Sequence, residues 1–211
     1  MCPRDLKIAL KPIPPSRQPT IDRTLGVYMA SSSISEPVSV LFVCLGNICR
    51  SPMAEGVFRH VTNHPDHPLI ADVDSAGTGG YHTGSSPDAR TMKTLKANGI
   101  TKYKHGARKV TAEDFEKFHW IFAMDSDNLD DLRSMRDRSR RRQAKGETTE
   151  GRNEMGKIML FGDFGGRKGE QVVDPYYGAD DGFATAYEQM VRFTDGFLKH
   201  LEETKSTAEK I

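Results

Sequence analysis

The segment Val38–Cys44 and the residues directly after it constrain the fold of this chain more than any other feature. The segment is nearly all apolar and rich in β-branched residues, which predicts a strand buried on both faces of a parallel sheet. Gly46 lies in a short loop, and the pair Ser51-Pro52 after it is typical of the first turn of a helix. The sequence therefore predicts a strand–loop–helix unit of the kind from which α/β folds are built.

The rest of the apolar pattern repeats this alternation of strand and helix. Three further apolar segments are predicted as strands: Leu69–Val73, Trp120–Met124 and Lys157–Phe161. Helices are predicted to begin near Asp88 and Ser126, and the last helix is expected to run from Asp181 to about Thr204. Together these elements indicate a single α/β domain with a four-stranded parallel sheet and helices on both faces.

Proline and charge divide the chain into parts. Five of the 11 prolines lie in the first 28 residues, where few apolar side chains could offset the entropy cost of ordering. We therefore predict a disordered or flexible extension at 1–37, a folded domain at 38–205 and a flexible tail at 206–211. Within the domain, a basic insert at about 133–155 is predicted to be a solvated helix end that leads into a loop.

Composition argues against several classes of protein. Lys and Arg (30) nearly balance Asp and Glu (29), whereas a dedicated nucleic-acid-binding protein usually has a strongly basic face, so no nucleic-acid partner is predicted. The longest apolar run, Val40–Leu45, is far too short to span a bilayer. Three cysteines cannot build the multi-bridge framework of a secreted mini-protein, so we expect a reducing, cytoplasmic location.

Residues 44–50 combine a nucleophile with groups that bind an anion. Cys44 ends the first strand at the carboxyl edge of the sheet, where α/β folds keep their ligand sites. Backbone N–H groups in a loop that enters a helix can cradle an anion, and the helix dipole strengthens the cradle. Arg50, six positions after Cys44, has a planar fork that can bind two phosphate oxygens at once. Since these positive surroundings favour a thiolate, the pattern predicts attack by cysteine on a bound phosphate ester.

The sequence around Cys44 and in four later segments resembles a known family. The phosphate-binding loop of low-molecular-weight protein tyrosine phosphatases is similar to the segment VLFVCLGNICRSPMAEGVF around Cys44. Four further segments agree with that family: DSAGTGGYHTGSSPDAR at 74–90, HGARKV at 105–110, FAMDSDNL at 122–129 and DPYYG at 174–178. The resemblance extends from about Val38 to Leu201 and leaves residues 1–37 uncovered.

The resemblance implies roles for three catalytic residues. Cys44 is expected to be the nucleophile, and Arg50 is expected to bind the phosphate and stabilise the transition state. Asp174 resembles the general acid and base of the family, carried on a loop that meets the phosphate loop. The phosphate loop itself is expected to consist of consecutive residues: Leu45, Gly46, Asn47, Ile48, Cys49, Arg50 and Ser51.

The resemblance also implies supporting residues around this centre. The loop is expected to be held by hydrogen bonds from four polar residues: Asn47, Ser51, Ser75 and His105. The substrate pocket is expected to be lined by apolar and aromatic residues: Leu45, Ile48, Tyr81, Tyr176 and Tyr177. Cys49 resembles a redox partner that could form a reversible disulfide with the nucleophile before over-oxidation.

These residues predict a phosphatase that needs neither metal nor other cofactor. The expected reaction is the hydrolysis of phosphotyrosine in proteins, and of small aryl phosphates, through a phosphocysteine intermediate. A monomer or a weak dimer is expected.

Three alternatives stay open at the level of sequence. Arsenate reductases of the same fold use a cysteine in this loop, but they relay the disulfide to later cysteines, and none follows Cys49. A magnesium-dependent aspartyl phosphatase could use Asp125 and Asp127, which follow an apolar strand as Asp-x-Asp. A non-catalytic phosphotyrosine-binding module is the third alternative, although it would have little need of all three catalytic residues.

Overall fold

A computed structural model describes residues 36–144, 155–176 and 181–208, and within them a parallel sheet forms the centre of the domain. Its strands are β1 (Val38–Cys44), β2 (Ile70–Gly77), β3 (Trp120–Ala123) and β4 (Lys157–Leu160). Every pair of neighbouring strands is parallel, and the order across the sheet is β2-β1-β3-β4. The predicted four-stranded parallel sheet is therefore confirmed, and β1 lies between two neighbours at its centre.

Helices cover both faces of this sheet, as the sequence predicts. They are α1 (Arg50–Val61), α2 (Ala89–Ala97), α3 (Asp114–Lys117), α4 (Ser126–Ala144) and α5 (Asp181–Ala208). The first, second and fifth helices pack on one face, and α4 packs on β3 and β4 from the other. A short 3₁₀ helix at Phe161–Phe164 follows β4 and contacts α5.

Alternation along β1 explains why the strand is buried on both sides. Val40 and Phe42 belong to the apolar cluster beneath α1 and α5, whereas Leu41 and Val43 belong to the cluster beneath α4. All four side chains are fully buried. Since each large apolar side chain that leaves water stabilises the fold by about 1.5–3 kcal/mol, this strand anchors the two layers to each other.

The predicted element ends differ from the observed ends where polar residues interrupt the apolar pattern. The second strand was expected to end at Val73, but it continues to Gly77 because its backbone pairs with β1 as far as Cys44. Phe161 belongs to the 3₁₀ helix rather than to β4. Val61, the last residue of α1, is 37% exposed.

Some predictions concern residues outside the described ranges. Most of the N-terminal extension, residues 145–154 of the basic insert, Tyr177 and residues 209–211 lie there, so the predicted division of the chain stays a prediction. The first part of the predicted insert continues α4 to Ala144. Among the described helices, none combines the length and the apolar character that a membrane span requires.

Candidate active site

Cys44 lies where the central strand meets the loop that leads into α1. Its side chain is buried, and its Sγ receives a hydrogen bond from the backbone N–H of Asn47 at 3.3 Å. The hydroxyl of Ser51 is 3.1 Å from the same sulfur and can donate a hydrogen bond to it. Two potential hydrogen-bond donors therefore face the sulfur at the base of the loop.

Asn47 shapes the loop through its backbone and its side chain. Its φ of 54° lies in the left-handed region, which Asn tolerates better than most residues. Its side-chain N–H groups donate to the hydroxyls of Ser51 at 2.9 Å and Ser75 at 3.0 Å. Its Oδ1 accepts from the backbone N–H of Arg108 and from Nε2 of His105, both at 2.8 Å. Every polar atom of this buried side chain therefore has a partner, and the loop conformation is held from three sides.

The turn after β2 closes against the back of the loop. The backbone N–H of Thr78 donates to the carbonyl of Cys44, and that of Gly79 donates to the carbonyl of Leu45, both at 2.9 Å. A Cβ at Gly77 would lie 2.7 Å from the carbonyl oxygen of Leu45, so this close approach of two backbones requires glycine.

Glu55, a buried residue of α1, forms a second layer beneath the loop. Its carboxylate accepts hydrogen bonds from the hydroxyls of Ser75 and Tyr103, each at 2.8 Å, and from Nε of Arg59 at 2.8 Å. Nδ1 of His105 lies 3.2 Å from the same carboxylate. Burial, followed by the charge of Glu55 and the hydrogen bond to it, raises the pKa of Tyr103, which therefore stays a neutral donor. These contacts connect α1 to the Asn47 network, so the loop rests on a fully paired polar layer.

Arg50 is held between two carboxylates at the start of α1. Its side chain is almost fully buried, with NH1 2.5 Å from Asp125 Oδ2 and NH2 2.9 Å from Asp174 Oδ2. Burial disfavours its charge, but the nearby Cys44 and the hydrogen bond to Asp125 outweigh that cost and raise the pKa of Arg50. Asp125 also accepts from the backbone N–H of Asn128 at 2.7 Å, which ties the carboxylate to the start of α4. The guanidinium is thus oriented before any ligand arrives.

Asp174 reaches the same guanidinium from a separate segment of chain. Its side chain is 39% exposed, and its Oδ1 accepts from the backbone N–H of Tyr176 at 3.0 Å. Val173, directly before it, is held by a 3.0 Å hydrogen bond from its N–H to Gln189 of α5. The carboxyl is therefore within reach of a group bound to Arg50.

A pocket of about 100 Å³ opens above Cys44. It is lined by ten residues, most of them apolar or aromatic: Cys44, Leu45, Gly46, Ile48, Cys49, Arg50, Tyr81, His82, Asp174 and Tyr176. Three of the larger side chains, Leu45, Tyr81 and Tyr176, are exposed at its walls. Such a slot suits a flat apolar ring whose anionic end reaches Cys44.

Cys49 is a buried residue of the phosphate loop itself. Burial raises the pKa of its thiol to about 12, and the charges of Asp88 and Cys44 act in the same direction. Its carbonyl accepts a hydrogen bond from the hydroxyl of Thr91 in α2 at 3.3 Å. Cys49 is therefore a neutral thiol in the same loop as the candidate nucleophile.

Three potential metal ligands lie together beneath the loop. Oxygen or nitrogen atoms of Glu55, Asp74 and His105 lie within 4.8 Å of one another. Glu55 is already bonded as described, and Asp74 accepts from Arg108 at 3.0 Å. Protein donors thus occupy the atoms that a metal would need, and the sequence prediction of no metal stays a prediction.

Comparison with known proteins places this chain in a family. Residues 39–207 match the family model described as low molecular weight phosphotyrosine protein phosphatase. The protein of that name from Schizosaccharomyces pombe is 44% identical over 170 residues, which cover 80% of this chain and 99% of the relative. The chain belongs to the low molecular weight phosphotyrosine protein phosphatase family. It is thus a phosphoric monoester hydrolase by family.

Solved structures of two relatives agree with this phosphatase fold. A protein tyrosine phosphatase from Entamoeba histolytica is 35% identical, with a TM-score of 0.65, and the match covers 80% of this chain and 99% of that chain. A Drosophila protein described as an arginine phosphatase is 38% identical, with a TM-score of 0.62, covering 76% of this chain and 96% of that chain. The fold predicted from the resemblance is confirmed.

The structure of this phosphatase brings most of the predicted site residues together. Cys44, Arg50 and Asp174 meet at one pocket. The residues predicted to support the loop form one hydrogen-bond network: Asn47, Ser51, Ser75 and His105. Leu45, Ile48, Tyr81 and Tyr176 line the pocket. Tyr177 lies outside the described residues, so its place in the pocket stays a prediction.

Sequence reasoning missed several residues of this site. The sequence assigned Asp125 to the alternative magnesium-dependent phosphatase, whereas in the structure it holds Arg50. His82 also lines the pocket. Glu55 and Tyr103 bond to each other from positions 48 residues apart. A charged residue on the buried side of a helix is an available signal for Glu55, because such a residue requires polar partners. Asp125 carried no comparable signal, since its partner lies 75 positions away.

Proposed function

We propose that this phosphatase hydrolyses phosphotyrosine in proteins, and small aryl phosphates, through a phosphocysteine intermediate without a metal. One observation carries the proposal: Arg50 lies beside Cys44 and is bonded to Asp174 at 2.9 Å, so nucleophile, anion binder and acid converge. The site residues come from three separate parts of the chain. Packing alone gives no reason for a cysteine, an arginine and an exposed aspartate to share one small pocket.

In the first step, the phosphate is bound by Arg50 and by the loop N–H groups. The Cys44 thiolate attacks phosphorus, a phosphorus–sulfur bond forms, and the bond from phosphorus to the phenolic oxygen breaks. The carboxylic acid of Asp174 donates its proton to the departing oxygen, so the product leaves as the neutral phenol. Since Arg50 and the loop are already oriented, the developing charge on the phosphoryl oxygens is stabilised with little rearrangement.

In the second step, the Asp174 carboxylate accepts a proton from a water molecule as that water attacks phosphorus. The phosphorus–sulfur bond breaks, inorganic phosphate is released and Cys44 leaves as a thiolate. The hydroxyl of Ser51, 3.1 Å from the sulfur, can donate a hydrogen bond to that thiolate as it forms. Asp174 is the acid again at the end of the cycle.

The walls of the pocket favour a phenyl ring over a guanidine as the group that carries phosphate. Leu45, Ile48, Tyr81 and Tyr176 offer apolar and aromatic surface. A phosphoarginine side chain would present several N–H donors, and among the described lining residues Asp174 offers the single carboxylate to accept from them. Because one relative is described as an arginine phosphatase, this choice of substrate needs a direct test.

The test compares one peptide sequence that carries either phosphotyrosine or phosphoarginine, with EDTA present throughout. We expect the wild-type protein to release phosphate mainly from phosphotyrosine, and C44S to release none. Preference for phosphoarginine would contradict the substrate class. Loss of activity in EDTA would favour a magnesium mechanism at Asp125 and Asp127, and binding without turnover would favour a phosphotyrosine-binding module. Arsenate-dependent oxidation of a thiol reductant would favour the arsenate-reductase alternative.

Three further features belong to the proposal. Cys49 acts as the redox partner of Cys44, supported by its neutral thiol in the same loop. Tyr177, which lies outside the described residues, is the remaining residue proposed to contact the substrate. The protein is proposed to work as a monomer or weak dimer. Its three cysteines favour a cytoplasmic location, and its near-neutral charge argues against a nucleic-acid partner.

A further inference from the structure

The first turn of α2 is fastened to the phosphate loop. The backbone N–H of Asp88, the residue that caps α2, donates to the carbonyl of Ile48 at 2.8 Å. The hydroxyl of Thr91 donates to the carbonyl of Cys49 at 3.3 Å. The start of this helix is therefore connected directly to the loop that holds the nucleophile.

Arg90 projects from this helical turn and is oriented by Asp88. Its Nε lies 3.1 Å from Asp88 Oδ1 and its NH2 lies 3.0 Å from Asp88 Oδ2, a two-pronged pairing that fixes the plane of the guanidinium. The side chain is 37% exposed, so the ion pair alone contributes little to stability. Its geometry matters more than its energy, because it sets the direction in which the guanidinium faces.

The same guanidinium lies against residues 173–176, the Asp174 segment. Its carbon is 5.4 Å from the centre of the Tyr176 ring and 4.7 Å from that of Phe183 in the first turn of α5. NH1 is 3.5 Å from the carbonyl oxygen of Tyr176. Cations at such distances are attracted to the faces of aromatic rings. Arg90 thus contacts the described chain on both sides of residues 177–180.

We propose that Arg90 is a positioning residue that holds the Asp174 segment against the phosphate loop, at the distance that proton transfer to the leaving group requires. This inference rests on the proposed role of Asp174 as the general acid. Arg90 touches neither substrate nor sulfur in this arrangement, and it acts through Tyr176, whose N–H bonds to the Asp174 carboxylate at 3.0 Å. Loss of Arg90 would leave the anion site intact and would misplace the proton donor.

The test measures kcat/KM for R90A on phosphotyrosine and on 2,4-dinitrophenyl phosphate, whose phenolate leaves without a proton. We expect a fall of about tenfold or more on phosphotyrosine and little change on the dinitrophenyl ester. The alkaline limb of the pH profile of kcat/KM, which reports the general acid, is expected to flatten. Inhibition by inorganic phosphate is expected to be unchanged, which would show that the loop of R90A is still folded.

Two further variants decide whether the effect passes through Asp174. In the D174A background, adding R90A is expected to cause no further loss on phosphotyrosine, because the group being positioned is gone. K117A is a matched control, since Lys117 pairs with Asp72 at 2.7 Å and lies over the ring of Phe118 at 4.8 Å. We expect K117A to show no dependence on the leaving group.

The outcomes separate this inference from the proposed function. Equal slowing of both substrates by R90A, no slowing of either, an additive loss in D174A, or the same pattern in K117A would each overturn the role of Arg90. If D174A itself lacks a leaving-group dependence, Asp174 is not the acid, and the mechanism proposed above fails together with this inference.

Discussion

The phosphate loop and the Asp174 segment face each other across one pocket, but they are built differently. In the loop, Cys44, Asn47 and Arg50 are buried, and side-chain or backbone partners satisfy their polar atoms. In the opposite segment, Asp174 and Tyr176 are about two-fifths exposed. In the proposed mechanism, the loop that binds the anion is thus held in place before substrate arrives, whereas the residues that deliver the proton are more exposed.

This difference follows from what each half must do. In the proposed mechanism, the phosphoryl oxygens stay bound to the loop while charge develops on them, so donors fixed in advance stabilise the transition state best. Asp174 has to change its protonation state and its partner, because a bound phosphate will compete with it for NH2 of Arg50. A carboxylate buried as deeply as the loop would be costly to move. The comparison predicts that changes in the loop affect all substrates, whereas changes in the Asp174 segment affect those that need a proton.

The largest expected loss of activity comes from a change at Cys44, in the buried phosphate loop. A hydroxyl at position 44 is un-ionised near neutral pH and a poor nucleophile, so Cys44→Ser is expected to abolish turnover of every aryl phosphate. Binding of vanadate or inorganic phosphate, measured by calorimetry, is expected to persist because Arg50 and the loop N–H groups are unchanged. Measurable turnover by this variant would contradict the phosphocysteine mechanism.

The next largest loss of activity is expected from a change at Asp174, on the opposite side of the pocket. Asp174→Ala is expected to lower kcat/KM on phosphotyrosine by about 10²–10⁴-fold, the usual contribution of a general acid. The loss on a dinitrophenyl ester is expected to be much smaller, and the alkaline limb of the pH profile should flatten. If both substrates slow equally, Asp174 orients the segment rather than donating the proton.

A smaller effect is expected at Asn47, which supports the loop without touching the leaving group. Asn47→Ala removes the contacts to Ser51, Ser75, His105 and Arg108, and it places a residue without a polar side chain at a φ of 54°. We expect a fall of about 10²-fold or less in kcat/KM, equal for both substrates, with weaker phosphate inhibition. The melting temperature should fall as well. A loss confined to phosphotyrosine would place Asn47 with the acid rather than with the loop.

The smallest effect is expected from Cys49, and it concerns recovery rather than rate. Peroxide should convert the Cys44 thiolate to a sulfenic acid, which the neutral Cys49 thiol can condense with to give a disulfide and water. Activity is measured relative to each variant's own unoxidised value, before peroxide, after it and after dithiothreitol. Cys49→Ser should recover less than wild type, and mass spectrometry should find a Cys44–Cys49 bridge only in the wild type. Equal recovery would leave Cys49 with a packing role.

Local sequence determined the core of this site because its parts are close together in the chain. An apolar strand, a glycine-containing loop and a helix start lie within Val38–Pro52, so the positions of Cys44 and Arg50 follow from backbone geometry over a few residues. The alternation of strands and helices determined the sheet and its two covered faces for the same reason. The family resemblance identified Asp174, which local pattern alone would have assigned to a turn.

Only the tertiary structure decided which distant groups complete the site. Asp125 bonds to Arg50 because β3 lies beside β1. The residues of β1 and β3 do not by themselves specify that these two strands are neighbours in the sheet. Glu55 meets Tyr103, and Arg90 meets Tyr176 and Phe183, across 48 to 93 positions of sequence. Apolar periodicity records which face of an element is buried, but it does not record which element covers that face. These polar contacts therefore depend on the packing of the whole domain, and a single sequence read locally cannot supply them.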